Sequence, residues 1–65
     1  MDVTVRITIT LEKYKNNKQR TLHYHVHNPK SPDDAMLQAL KLCLSVDEKK
    51  SEYVVRVNLD GVTSN

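Results

Sequence analysis

Residues 3–11 constrain this chain more than any other stretch. Val3, Val5, Ile7, Ile9 and Leu11 alternate without exception with Thr4, Arg6, Thr8 and Thr10, and Asp2 and Glu12 extend the polar set at either end. A β-strand sends successive side chains to opposite faces, so this run can bury one face and leave the other in water. The β-branched residues on both faces suit pleated backbone better than a helix. A sheet that is wet on one side is typically antiparallel, and its apolar side needs a covering element.

A partner strand follows directly. Leu22, Tyr24 and Val26 alternate with Thr21, His23, His25 and His27. Between the two runs stands Asn16-Asn17, and Asn tolerates positive φ, so the sequence predicts a two-residue hairpin turn there. That turn fixes a register. It sets Lys15 opposite Lys18, Lys13 opposite Arg20, Leu11 opposite Leu22, Ile9 opposite Tyr24 and Ile7 opposite Val26. On the other face Thr10, Thr8 and Arg6 would meet His23, His25 and His27. A slip of one residue would send every apolar side chain to the wrong face.

Asn28-Pro29 stops the second strand, because proline has no N–H for the ladder. Ser31-Pro32-Asp33-Asp34 then combines an N-cap serine, a proline at the first helical position and two acids in the first turn, a strong helix start. Met36, Leu37, Leu40, Cys43 and Leu44 form an apolar stripe at three-four spacing, with Ala39 on its edge and Leu42 roughly opposite. Asp47–Glu52 reads as a charged, solvated loop. Tyr53, Val55, Val57 and Leu59 alternate with Val54, Arg56, Asn58 and Asp60 in a third strand. Asp60-Gly61 is expected to end it, leaving residues 63–65 as a frayed tail.

The expectation is one small domain over residues 1–65, with strands at about 2–14, 19–27 and 53–60 and a helix at about 32–45. The order β-β-α-β implies an α+β two-layer sandwich: a mainly antiparallel three-stranded sheet, order 2-1-3, with one helix packed on one face.

Composition removes several function classes. Apolar runs reach only three residues, which leaves no membrane span and no signal-peptide core. The lone cysteine, Cys43, excludes an intrachain disulfide and a cysteine-based zinc knuckle. It fits a reducing, cytoplasmic setting, and its place on the helical stripe reads as a small core hydrophobe. Gly61 is the one glycine, so there is no glycine-rich phosphate loop. The histidines stand on the wet face, away from any Ser/His/Asp arrangement, and a 65-residue chain is small for a concave active site. No enzymatic activity and no cofactor are expected.

Three surfaces remain as candidates. His23, His25 and His27 share one face of one strand. Same-face neighbours are about 6.6 Å apart, so two of them could share a metal ion and all three could not. The simpler reading is three solvated imidazoles, with a pH-sensitive cluster as a further alternative. The hairpin tip gathers Lys13, Lys15, Lys18 and Arg20 beside Tyr14. This suggests either a phosphate-contacting finger with a stacking aromatic or a solvated turn that guards against aggregation. The open sheet face itself offers Thr, His, Asn and Arg without an aromatic, unlike RNA-binding sheets of the RRM type. The third surface is a dimer or partner contact. A chain this small buries little surface, Val54 and Arg56 stand on an open third-strand edge, and Leu42 is a large apolar group off the stripe.

The short chain beginning at Met1 resembles stand-alone accessory proteins of bacteria or their phages. The leading expectation is a small non-catalytic protein-interaction or regulatory module acting as a homodimer, with a protein partner and no membrane. The alternative is a nucleic-acid-binding accessory protein that uses the basic hairpin tip. The formal charge of +2, from ten basic and eight acidic residues, is weak for nucleic acid unless the charge is concentrated in one place.

Overall fold

The computed structural model describes residues 2–45 and 52–64. Strand β1 (Val3–Lys13) is followed by β2 (Gln19–His27), helix α1 (Pro32–Ser45) and β3 (Tyr53–Ser64). The sheet has the order β2-β1-β3 with both pairs antiparallel, as the sequence pattern implies. Most of the charged segment expected at Asp47–Glu52 lies outside the described residues. No described helix is long and apolar enough to cross a membrane.

The alternation in β1 is realised completely. Val5, Ile7, Ile9 and Leu11 are each at most 2% exposed and form the floor of the core. Over them lie Ala35, Ala39 and Cys43, all at most 1% exposed. These three stand four residues apart, on one line along the helix. This corrects the expected stripe: Ala39 is at its centre rather than its edge, while Leu37 is 50% exposed. Large β1 side chains already fill the layer, and small helix residues let the backbone come down onto them. Met36 and Leu40 are half-buried on one side. On this axis Leu42 sits on the other flank, about 60° from the centre rather than opposite it.

The helix starts as its sequence predicts. Asp34 N donates to Ser31 Oγ at 3.0 Å, and Ala35 N donates to Ser31 O at 3.1 Å. Asp34 returns the favour by accepting from Lys30 N at 3.0 Å and Gln38 Nε2 at 2.9 Å. The Lys30 amide, then Gln38, hold the Asp34 carboxyl below its ordinary pKa.

Two expectations about the strands are corrected. The hairpin register is displaced by two residues: Val5 pairs with Val26, Ile7 with Tyr24, Ile9 with Leu22 and Leu11 with Arg20. The loop is Tyr14–Asn17, closed by Lys13 N to Lys18 O at 3.0 Å and Asn17 N to Lys13 O at 2.9 Å. Only Asn17 takes positive φ (57°), and Asn16 instead caps the turn by accepting from Lys18 N at 3.0 Å. A two-residue shift keeps every side chain on its face, so alternation alone cannot detect it.

The third strand also runs past Asp60-Gly61. Leu59 pairs with Ile7 and Gly61 with Arg6, which leaves Asp60 as the extra residue of a β-bulge. The bulge restores the parity, so that Val62, Thr63 and Ser64 pair with Val5, Thr4 and Val3. The Arg6 guanidinium lies over Gly61, and a side chain there would displace that flexible group.

Candidate interaction surfaces

The open face of the sheet is built in rows across β2, β1 and β3: His27–Thr4–Thr63, His25–Arg6–Gly61, then His23–Thr8–Asn58. The register shift therefore gives the histidines different neighbours from those expected. His27 Nδ1 is 2.9 Å from Thr4 Oγ1, and His23 Nδ1 is 3.2 Å from Thr8 Oγ1. Thr8 donates its hydroxyl hydrogen to Asp60 Oδ2, so it accepts from His23 Nδ1–H. His23 thus donates from Nδ1, which the charged ring and the Nδ1–H neutral ring can both do. Asn58 Nδ2 donates to the other Asp60 oxygen at 2.8 Å. The Thr8 hydroxyl first, then Asn58, lower the pKa of Asp60, with smaller help from the nearby His23 and Arg6 charges. Arg6 is anchored in turn through Nη1 to Thr63 Oγ1 at 3.1 Å. The bulge thus has a local role, presenting Asp60 to Thr8. Among the described residues no group of three His, Cys, Asp or Glu side chains is placed to hold a metal ion.

The hairpin end carries a different surface. Lys13, Lys18, Arg20, Leu11, Gln19 and Tyr53 line an open concavity of about 310 Å³. Lys13 lies between Lys18, just before β2, and Tyr53 on β3, and its Nζ is 5.7 Å from the Tyr53 ring centroid, a cation–π contact. Lys13, Arg20 and Tyr53 share the face that α1 covers further along, by strand parity. Cys43, in the last turns of α1, neighbours Tyr24, whose hydroxyl is pushed above its ordinary pKa by burial and then by that thiol. The rows of Leu11 and Lys13 lie beyond Tyr24 towards the tip. Glu12, the acid of this end of β1, is on the opposite face and accepts from Gln19 Nε2 at 3.1 Å.

Of the tip residues singled out from sequence, Lys13, Lys18 and Arg20 come together around this concavity. Lys15 and Tyr14 remain in the exposed loop, with Tyr14 66% exposed. Tyr14 is tied to the start of β3 by its backbone N–H to Glu52 O at 3.1 Å. Tyr53 packs against the core, as its parity implies, and in addition lines this concavity, a role that sequence reasoning did not give it. The available signal was its position as the first residue of β3, at the end of the sheet.

The third surface is the β3 edge. Tyr53, Val55, Val57 and Leu59 all pack against the core, yet none is fully buried, and Val62 is 52% exposed. Val54, half-buried, faces Glu12 on the open side; Arg56, exposed, faces Thr10. Leu42 is 59% exposed. Comparison with protein-family models, curated proteins and solved structures finds no match to the chain.

Proposed function

We propose that this protein is a small non-catalytic interaction module that works as a homodimer, with the β3 edge as the joining surface. The observation that carries this reading is the contrast in coverage along the apolar side of the sheet. In β1 every apolar residue from Val5 to Leu11 is buried, whereas in β3 no apolar residue is. An edge strand of 12 residues with a half-covered apolar row is a template for strand addition. The bulge at Asp60 limits the regular stretch to Tyr53–Leu59.

A second copy is the occupant this edge suits. An antiparallel two-fold pairing centred on Val57 sets Val55 opposite the partner's Leu59 and Val57 opposite its own symmetry mate. Arg56 then faces the partner's Asn58 and lies diagonal to both the partner's Asp60 and the partner's Arg56, so it is the apolar pattern that matches. Such a pairing would extend a core that has eight buried residues among those described. Cys43, buried and unpaired, supports a reducing, cytoplasmic setting.

Light scattering after size exclusion at micromolar concentration tests the assembly, with a dimer expected. Val57→Lys should yield monomer while circular dichroism retains the native spectrum, and Leu42→Glu should leave the dimer intact. A wild-type mass of 7.5 kDa would overturn the proposal. Dissociation by Leu42→Glu alone would move the contact to the helix flank.

A further inference from the structure

A second surface, at the hairpin end, shares Tyr53 with the β3 edge and has a different chemistry. We infer that the hairpin-end concavity is a phosphate site for single-stranded nucleic acid, with Lys13, Lys18 and Arg20 on the backbone and Tyr14 as the stacking platform for an adjacent base.

The charge is concentrated where the whole chain is nearly neutral. Three cations line one concavity of about 310 Å³, and no carboxylate lines it among the described residues. Like charges at adjacent ladder positions oppose folding, so their convergence needs another account. Lys13 and Lys18 are direct neighbours across the end of the hairpin, with Lys13 N bonded to Lys18 O. The Tyr53 ring steadies the Lys13 ammonium at the wall, and no carboxylate among the described residues lines the concavity to neutralise it. Arg20 supplies the planar fork suited to phosphate oxygens. The size falls at the lower end of small-ligand sites, enough for a phosphate with part of its sugar.

The arrangement fits a single strand better than a duplex. A hairpin inserted into a major groove would need cations towards both flanking backbones. Here strand parity puts Lys13 and Arg20 on one face, while the other presents Glu12 with Gln19. A strand lying along the basic face meets phosphates in succession and can place a base on Tyr14, exposed in the adjoining loop.

Fluorescence anisotropy with a labelled 15-nucleotide oligothymidylate and a duplex of the same length tests the inference. Three phosphate contacts predict a slope of log K against log salt of about −2 for the single strand. Lys18→Gln combined with Arg20→Gln should cut that slope to about −0.7 and weaken low-salt binding at least tenfold. Tyr14→Ala should weaken binding by about tenfold with the slope unchanged, separating stacking from charge. Thermal melts of each variant verify the fold. Absent binding at 25 mM salt, a duplex held as tightly as the single strand, or wild-type binding by the double variant would each overturn the site. Equal competition by inorganic triphosphate, phosphate for phosphate, would replace the nucleic acid with a compact polyanion and overturn the assignment of a strand.

Discussion

The two ends of β1 are closed by different chemistry. At the Val3 end, side chains finish the fold: Val3 N donates to Asn28 Oδ1 at 2.8 Å, Asn28 N donates to Val3 O at 2.7 Å, and Asn28 Nδ2 reaches Asp2 Oδ1 at 3.3 Å. Thr4 with His27 and Arg6 with Thr63 extend the stitching across all three strands. At the Lys13 end the closure is mostly backbone, through Lys13–Lys18, Asn17–Lys13 and Tyr14–Glu52. Its cations face a concavity that no carboxylate lines among the described residues. Polar groups that satisfy one another stabilise the fold, while like charges held together oppose it. On the inference drawn above, the first end serves the fold and the second is the one proposed to bind.

The largest effect that separates the ends is expected from Asn28→Val. Asn28 has φ 49°, in the left-handed region. A β-branched residue there costs about 1–2 kcal/mol, and the lost side-chain bond to Val3 adds about 1 kcal/mol. Urea unfolding should show a loss of about 2–3 kcal/mol, the sum of these terms. Asn17→Gly, at the positive-φ position of the other end, should change stability by no more than a few tenths. Equal losses at both positions would erase the distinction between the ends.

How much of this was legible in the sequence depends on what each pattern encodes. Period two reports the face of a residue but is blind to even shifts of register, so the alternation of Val3–Leu11 predicted the core floor while the Asn16-Asn17 turn misplaced the pairing. The cap at Ser31–Asp34 is a local motif whose partners lie within four residues, and it formed as read. The helix stripe was misjudged because size was taken for burial: Leu37 is larger than Ala39, but space above the β1 residues selects the smaller one. The bulge at Asp60 depends on Thr8, a residue 52 positions away, and no local signal announces it. For the site, charge clustering at the tip was visible, whereas Tyr53 joins it only through the pairing of β3 with β1.

A smaller effect is expected from acid. Asp34 closes the helix start and Asp60 closes the bulge, and both have pKa values lowered in the folded protein, by the Lys30 amide and the Thr8 hydroxyl respectively. A carboxyl whose folded pKa lies below its unfolded one stabilises the fold above the unfolded value, about 4, and that contribution is lost as pH falls through the folded value. Melting temperature should therefore drop between pH 5 and pH 3, and the drop should shrink in Asp34→Asn and Asp60→Asn. Both groups are at the surface, which keeps the effect modest. The tip cations, with no carboxylate lining the concavity among the described residues, should contribute little to the acid response. An undiminished drop in both variants would place the acid-sensitive contacts elsewhere.

The smallest effect is the most informative about the hairpin end. In the observed register the like-charged neighbours are Lys13 and Lys18, not Lys15 and Lys18. Replacing Lys18 by Gln removes that repulsion and leaves the two bonds made by the Lys18 backbone, Lys13 N to Lys18 O and Lys18 N to Asn16 Oδ1, unchanged in kind. Stability should stay level or rise by a few tenths of a kcal/mol, the size of one relieved cross-strand pair. Lys15→Gln, in the exposed loop, should do less. Paired urea titrations at low and high salt read both, because salt should narrow the gap between wild type and Lys18→Gln by screening the repulsion. A loss of stability on Lys18→Gln would mean that this lysine serves the fold, and the hairpin end would then differ from the Val3 end only in the identity of its partners.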